Sequence, residues 1–512
     1  MLTVSQLTIT HRKDLTCLIE NLSFSVGQGE RIALIGEEGN GKSTLIRAIA
    51  GDKSIEQYAE ISGRIINSGR AAYLPQELPA HDREKSAYEF FCDHPAFFDQ
   101  TPRSLGEIAS RLHMPADVFY SEQRMASFSG GERIKLQIAR LLLGEPELLL
   151  LDEPSNDLDG ETVRWLEDFL VSCGLSVLFV SHDETLLRRA ATGVILLERL
   201  RRRQQPRASV SRASYDEFVS ARADLFAHQE QVARKEREEL KSKMQRYNQI
   251  RQRVEHEQNA ISRRDPGGGR LLKKKMHAVM SMGRRFEREA QNMTDMPESE
   301  EAIFARLECV PLPSGKAVLN LALDNLMIGE RVLSKDIRLT VRADEKVCIT
   351  GRNGVGKSTL LRCIRDELKD RRDVSVFYMP QDPSDMLDMN STPVEALTKS
   401  GEKEENIRIC VALGSMKFTA DEMNHPCSAL SGGQKAKLMF LSMAMSGANV
   451  LLLDEPTRNL SPLSGPVVRD LFAQYPGCII AVSHDVLFER EVCTRRLALD
   501  ANGLHQTESD RF

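Results

Sequence analysis

Gly36–Thr44 reads GEEGNGKST, and Gly351–Thr359 reads GRNGVGKST. An apolar run leads into each (Arg31 to Ile35; Lys346 to Thr350), and a helix-forming run leads away (LIRAIA; LLRCI). In that context the glycines allow successive backbone N–H groups to face phosphate oxygens at a helix N-terminus. Gly36, Gly39, Asn40, Gly41 and Thr44 form one such cradle; Gly351, Asn353, Gly354, Gly356 and Thr359 form the other. Lys42 and Lys357 supply a point charge, and Ser43 and Ser358 a hydroxyl for magnesium.

Each loop heads the same series. Ser129, Gly130 and Gly131 stand within FSGGE, and Ser431, Gly432 and Gly433 within LSGGQ; LLLDEP and then SHD follow in both. Ser129 to Asp152 and Ser431 to Asp454 are each 23 residues, and Glu153 to His182 and Glu455 to His484 are each 29. Chance does not repeat a four-part series at equal spacing, so the chain is a tandem duplication of a nucleotide-hydrolysing domain. Leu148 to Leu151 and Val450 to Leu453 predict buried strands ending in Asp152 and Asp454, carboxylates able to hold magnesium through water. The adjacent Glu153 and Glu455 can polarise an attacking water. His182 and His484 follow the apolar runs SVLFV and CIIAV, which places them at the carboxyl end of a sheet beside the phosphates. Gln76 in YLPQE and Gln381 in MPQD fall between loop and SGG in both copies, each in reach of magnesium and the water. Trp165 carries no comparable argument and reads as packing.

At 512 residues, with 41% hydrophobic and 28% charged residues, each repeat has ample chain for its own core. No apolar stretch approaches the roughly 20 residues that span a bilayer, and the N-terminus lacks a signal-peptide core, so no membrane part is expected. The ten cysteines include no CxxC pair, which argues against zinc or a disulfide framework and for a reducing, cytoplasmic setting. Net charge is −5, but residues 221–290 hold 18 Lys and Arg against 10 Asp and Glu. A basic segment in an acidic chain points to a polyanion partner; a solvated charged helix is the other reading.

Within that segment Leu240, Met244, Tyr247, Val254 and Ile261 form one apolar helical stripe, and Leu272, Met276, Val279, Phe286 and Met293 a second. Each can be buried only against the other, which predicts an antiparallel hairpin. A first helix unbroken from Tyr215 would reach about 70 Å at 1.5 Å per residue, so a kink or a later start is expected. Pro266 and Gly267 to Gly269 are expected to exclude helix at the tip. Arg263, Arg264, Arg270, Lys273, Lys274 and Lys275 crowd that tip as candidate RNA contacts, or as charges that keep an exposed turn soluble.

Taken together, both repeats resemble the ATP-binding cassette superfamily, and the basic helical insert resembles its ABC-F branch, as does YDEFV after Ser214. The resemblance implies an α/β fold: two tandem nucleotide-binding domains of the P-loop type, at 1–214 and 299–512, joined by a helical hairpin linker at 215–298 with its tip near 263–272. It implies ATP and Mg2+ as cofactors. The domains would close head to tail, with Ser129 and Gly131 meeting the γ-phosphate held by Lys357, and Ser431 and Gly433 that held by Lys42. It implies a monomeric, cytoplasmic ATPase with the ribosome as partner, through ribosomal RNA and P-site tRNA, and with no membrane partner. The second repeat departs from the pattern: EPTRNLSP has Ser461 where the first has Asp159 in EPSNDLD. That copy resembles the antibiotic-resistance members, which protect the ribosome against drugs at the peptidyl-transferase centre. Competing readings are a housekeeping translation regulator, an importer's ATPase subunit and a DNA-associated ATPase. For the adenine, His11 stands near the usual aromatic position of the first repeat, and no aromatic lies around Met327 to Glu330.

Overall fold

The computed structural model describes every residue except 1, 157, 201–204, 261–265, 295–296, 298–306, 459 and 507–512. It divides into two units, Met1–Tyr215 with Glu300–Phe512, and Asp216–Ser299.

In the first repeat β1 (Leu2–His11), β2 (Cys17–Val26) and β4 (Ala59–Asn67) form an antiparallel sheet. The six-stranded sheet has the order β5 (Ala71–Leu74), β6 (Leu148–Asp152), β7 (Ser176–Val180), β3 (Arg31–Gly36), β8 (Gly193–Arg199), β9 (Gln205–Ser211). The second repeat pairs β10 (Ala317–Ile328) with β11 (Arg331–Arg342). Its six-stranded sheet runs β13 (Val376–Met379), β14 (Val450–Asp454), β15 (Cys478–Val482), β12 (Lys346–Thr350), β16 (Arg495–Asp500), β17 (Gly503–Gln506). The two orders correspond strand for strand, and only the last strand of each is antiparallel.

Continuous apolar runs make these strands, because helices cover both faces of a parallel sheet. Every residue of β6 and of β14 is buried. Each leucine there contributes about 1.5–3 kcal/mol relative to exposure. The register sets Asp152 opposite Val180, and Asp454 opposite Val482. The carboxylates, the histidine loops and the ends of β3 and β12 therefore share one edge.

In the second unit a 46-residue helix, Tyr215–Ala260, packs against the helix Pro266–Gln291. Tyr247, Val254 and Val279 are its buried centre, joined by Met276 and Phe286. The helices run antiparallel: Lys243 meets Glu289 at 2.9 Å and Lys275 meets Glu257 at 3.6 Å. Two expectations fail. The first helix starts at Tyr215 and is unbroken, because it contains no proline or glycine and kinks need such a cause. The second helix begins at Pro266 and includes Gly267 to Gly269. Proline at the first position loses only an N–H that has no helical partner, and glycine in the first turn costs about 1 kcal/mol rather than forbidding helix. Arg270, Lys273, Lys274 and Lys275 are exposed on that helix; Arg263, Arg264 and Ile261 lie outside the described residues.

Candidate functional site

The phosphate loops sit at the ends of β3 and β12. Gly36 and Gly351 have φ 148° and 147°, and Gly41 and Gly356, at 87° and 107°, start the helices Lys42–Ala50 and Lys357–Lys369. No side chain caps either helix. Their first N–H groups are thus suited to receive an anion. Lys42 Nζ donates to the carbonyls of Gly36 at 2.8 Å and Glu37 at 3.0 Å; Lys357 Nζ donates to those of Gly351 at 2.8 Å and Arg352 at 3.1 Å. Burial lowers the pKa of both lysines against the pull of nearby carboxylates.

The carboxylates beyond β6 and β14 reach the same loops. Ser43 Oγ donates to Asp152 at 3.0 Å, and Gln76 Nε2 to Glu153 at 2.9 Å. Glu153 and Glu455 have φ of 50° and 52°, a strained conformation for a non-glycine residue. Their N–H groups, bonded to the carbonyls of Val180 at 3.1 Å and Val482 at 2.9 Å, hold them there. His182 Nε2 lies 3.4 Å from Glu153, and His484 Nε2 3.7 Å from Glu455.

Identical motifs acquire different electrostatics. Burial pushes Asp152 up to about 6 against the pull of Ser43. Burial also acts on Glu153, but the bond and charge of His182, with Lys42 and Asn156, outweigh it and bring the carboxyl to about 2. Glu455 rises to about 7 through burial, opposed by the backbone N–H of His484. Burial, with Lys357, lowers His484 to about 4.

A cavity of about 490 Å³ joins Lys357, Ser358, Thr359, Gln381, Asp454 and His484 to first-repeat residues such as Ser155 and Asn156. A smaller one, about 250 Å³, is lined by Gly39, Gly41, Lys42, Ser43, Thr44 and Gln76. Among the described residues no group of three or more His, Cys, Asp or Glu could hold a metal alone. A cation there needs phosphate oxygens as well. The donors fit magnesium in that form: Asp454 Oδ1 is buried with no hydrogen-bond partner, and a hard cation takes such an oxygen.

Ser129 and Ser431 cap the helices Gly130–Leu143 and Gly432–Ser446 by capping boxes with Glu132 and Gln434. The second of these helices meets the first loop. Gly433 N–H donates to Glu38 at 2.7 Å, and Lys437 Nζ stands 2.5 Å from Glu37, both side chains buried. At the second loop Arg352 pairs across the repeats with Glu161 at 3.3 Å, exposed on both sides. Among the described contacts no bond joins Ser129 or Gly131 to that loop. Glu37, Glu38 and Lys437 were missed in the motif reading, since they occupy its variable positions. Lys437 directly before the apolar run LMFL was the available signal. His11 bonds Asp14 at 2.8 Å and lies 6.4 Å from the Tyr58 ring; Ile328 lines the larger cavity, where an aromatic could have stood. Trp165 is buried and stacked on Phe169.

Comparison with known proteins matches residues 19–156 and 334–458 to the family described as ABC transporter. The chain is 28% identical to the ribosome protection protein VmlR of Bacillus subtilis, across 97% of this chain and 86% of that protein. It is 25% identical to ABC transporter F family member 5 of Arabidopsis thaliana, across 96% of this chain and 74% of that one. An archaeal ribosome recycling factor, solved in complex with a ribosomal stalk protein, shares the fold at TM-score 0.59 and 17% identity, covering 98% of this chain and 90% of that one.

Proposed function

The chain is an ATPase that belongs to the ABC transporter family, its relatives lie in the F branch, and from that premise we propose that it binds the ribosome with ATP and leaves on hydrolysis. The same reading makes it a protection factor against antibiotics at the peptidyl-transferase centre, acting from the tRNA exit site beside the P-site tRNA. One observation carries this: the insert between the cassettes is a basic hairpin that buries Tyr247, Val254 and Val279 between its helices and leaves Arg270 and Lys273 to Lys275 exposed. Such a surface neutralises RNA phosphates by shape and charge rather than by reading bases. Similarity to a ribosome protection protein over 97% of the chain supports it. Among the described residues no helix is long and apolar enough to cross a membrane.

In this reading Lys42 and Lys357 hold the β- and γ-phosphates, with the glycine-loop N–H groups around them. Magnesium, when bound, offsets phosphate charge; Ser43, Asp152 and Gln76 would hold it in one site, and Ser358, Asp454 and Gln381 in the other. Glu153 and Glu455 accept a hydrogen bond from the attacking water. The water oxygen bonds the γ-phosphorus as the bond to the bridging oxygen breaks, and ADP leaves. His182 and His484 orient that water and the γ-phosphate. Ser431 and Gly433 complete the site of Lys42, and Ser129 and Gly131 that of Lys357. Sedimentation with ribosomes tests the reading: association is expected with ATP or a non-hydrolysable analogue and is expected to fall with ADP. Equal recovery in the ribosome pellet with and without nucleotide would overturn it.

A further inference from the structure

His182 and His484 occupy equivalent places after β7 and β15, yet they are held differently. Nδ1 of His182 lies 2.7 Å from the carbonyl of Leu460, in the other cassette. A carbonyl only accepts, so Nδ1–H donates and Nε2 faces Glu153. Among the described residues no carbonyl stands in this relation to His484.

Leu460 opens the stretch that carries Ser461. In the first cassette the corresponding Asp159 caps the helix Gly160–Ser172 by accepting from the Thr162 N–H at 3.0 Å. Ser461, buried, makes no such cap bond. A buried ion pair fastens this stretch instead. Arg469 donates from Nη1 and Nη2 to the two carboxylate oxygens of Glu184 at 2.7 and 3.2 Å, and from Nε to Glu491 at 2.5 Å. Arg469 is 2% exposed and Glu184 7%. Glu184 stands two residues beyond His182, and Arg469 one helical turn beyond Gly465, so the pair ties both ends of the His182–Leu460 contact. Gly465 is part of the fit: a Cβ there would collide with the Glu184 carboxylate and lie 2.8 Å from Arg469 Nη1. By the motif alignment the reciprocal positions are Glu167 and Val486, which cannot form an ion pair. The clasp exists on one side only.

We propose that Arg469 and Glu184 are positioning residues that seat the Leu460 carbonyl on His182, so that the ATP site of Lys42 is competent only when the second cassette is engaged. A two-point guanidinium–carboxylate bond fixes geometry as well as distance. It does so where Ser461 lacks the carboxylate that Asp159 provides. The proposal rests on the assignment of His182 and Glu153 to the catalytic site.

The test uses the full chain with Arg469→Met and, separately, Gly465→Ala, which leaves every charge in place. With 15N-labelled histidine, the His182 resonances, identified by their absence in His182→Gln, are expected to shift in both variants while those of His484 hold. ATP turnover is then measured in a Glu455→Gln background, which leaves the Lys42 site, and in a Glu153→Gln background, which leaves the other. A loss of about tenfold or more is expected in the first, as for a displaced positioned group, and a change within about twofold in the second. Unmoved His182 signals, or equal losses in both backgrounds, overturn the proposal. If neither Glu→Gln change lowers turnover, the catalytic assignment fails instead, and the histidine spectrum alone decides the clasp.

Discussion

Glu153 and Glu455 show how residue chemistry and backbone strain meet at one place. Both are half-buried, both follow a strand whose every side chain is buried, and both sit at positive φ. That conformation costs about 1–3 kcal/mol and persists only because the strand ends over-determine it. Glu153→Gln with Glu455→Gln is expected to retain ATP binding and to lower phosphate release by at least about a hundredfold, the usual scale for a lost general base. The same protein should then remain on ribosomes in ATP; loss of nucleotide binding in a filter assay would instead assign the glutamates to structure. Asp454 offers a second test, because burial raises its pKa and its Oδ1 has no partner. Asp454→Asn is expected to stabilise the nucleotide-free protein by on the order of 1 kcal/mol by removing a desolvated buried charge. It should also abolish the rise in Tm that Mg-ATP gives the parent protein, and thermal melts with and without Mg-ATP check both signs.

At the scale of elements, the hairpin depends on a few side chains. Gly283 faces Tyr247, and a Cβ there would lie 2.7 Å from the phenol oxygen. Gly283→Ala is expected to cost the hairpin about 1–3 kcal/mol through overpacking, read as faster proteolytic cleavage of the helices with ATPase activity unchanged. The tip gives a functional counterpart. Shortening Asp265 to Gly269 removes the start of the second helix but leaves the Tyr247, Val254 and Val279 contacts. ATPase activity and ribosome binding should stay within about twofold, since phosphate neutralisation by the flanking cations is retained, while drug protection in cells is lost. An unchanged minimum inhibitory concentration would make the tip a connector.

At the scale of the whole molecule, Lys437 and Glu37 are 400 residues apart in sequence and 2.5 Å apart in space. Lys437→Met leaves the Glu37 carboxylate buried without that cation, a loss expected to cost about 3–5 kcal/mol. Turnover at the Lys42 site should fall with it, measured in the Glu455→Gln background. Charge loss at the exposed Arg352–Glu161 pair should cost under about 1 kcal/mol. Two full-rate ATPases from separately expressed cassettes would show that neither contact matters to hydrolysis.

Duplication, strand ends, loop lysines and the helical insert were all legible in the chain, because spacing along it dictates which groups leave a strand or start a helix together. Local rules misjudged the insert. Gly267 to Gly269 and Pro266 were weighed as helix breakers, whereas position within the first turn made them tolerable, and a helix without proline or glycine had no cause to kink. The unequal environments of Glu153 and Glu455 were invisible to motifs that read alike, since burial and facing charges come from residues far away in sequence. Only tertiary structure set Glu38 against Gly433, Lys437 against Glu37 and Arg469 against Glu184. Gly433 apart, the members of those pairs lie at positions that no repeat or spacing marks, and a buried charge reveals its partner only once the chain has folded around both.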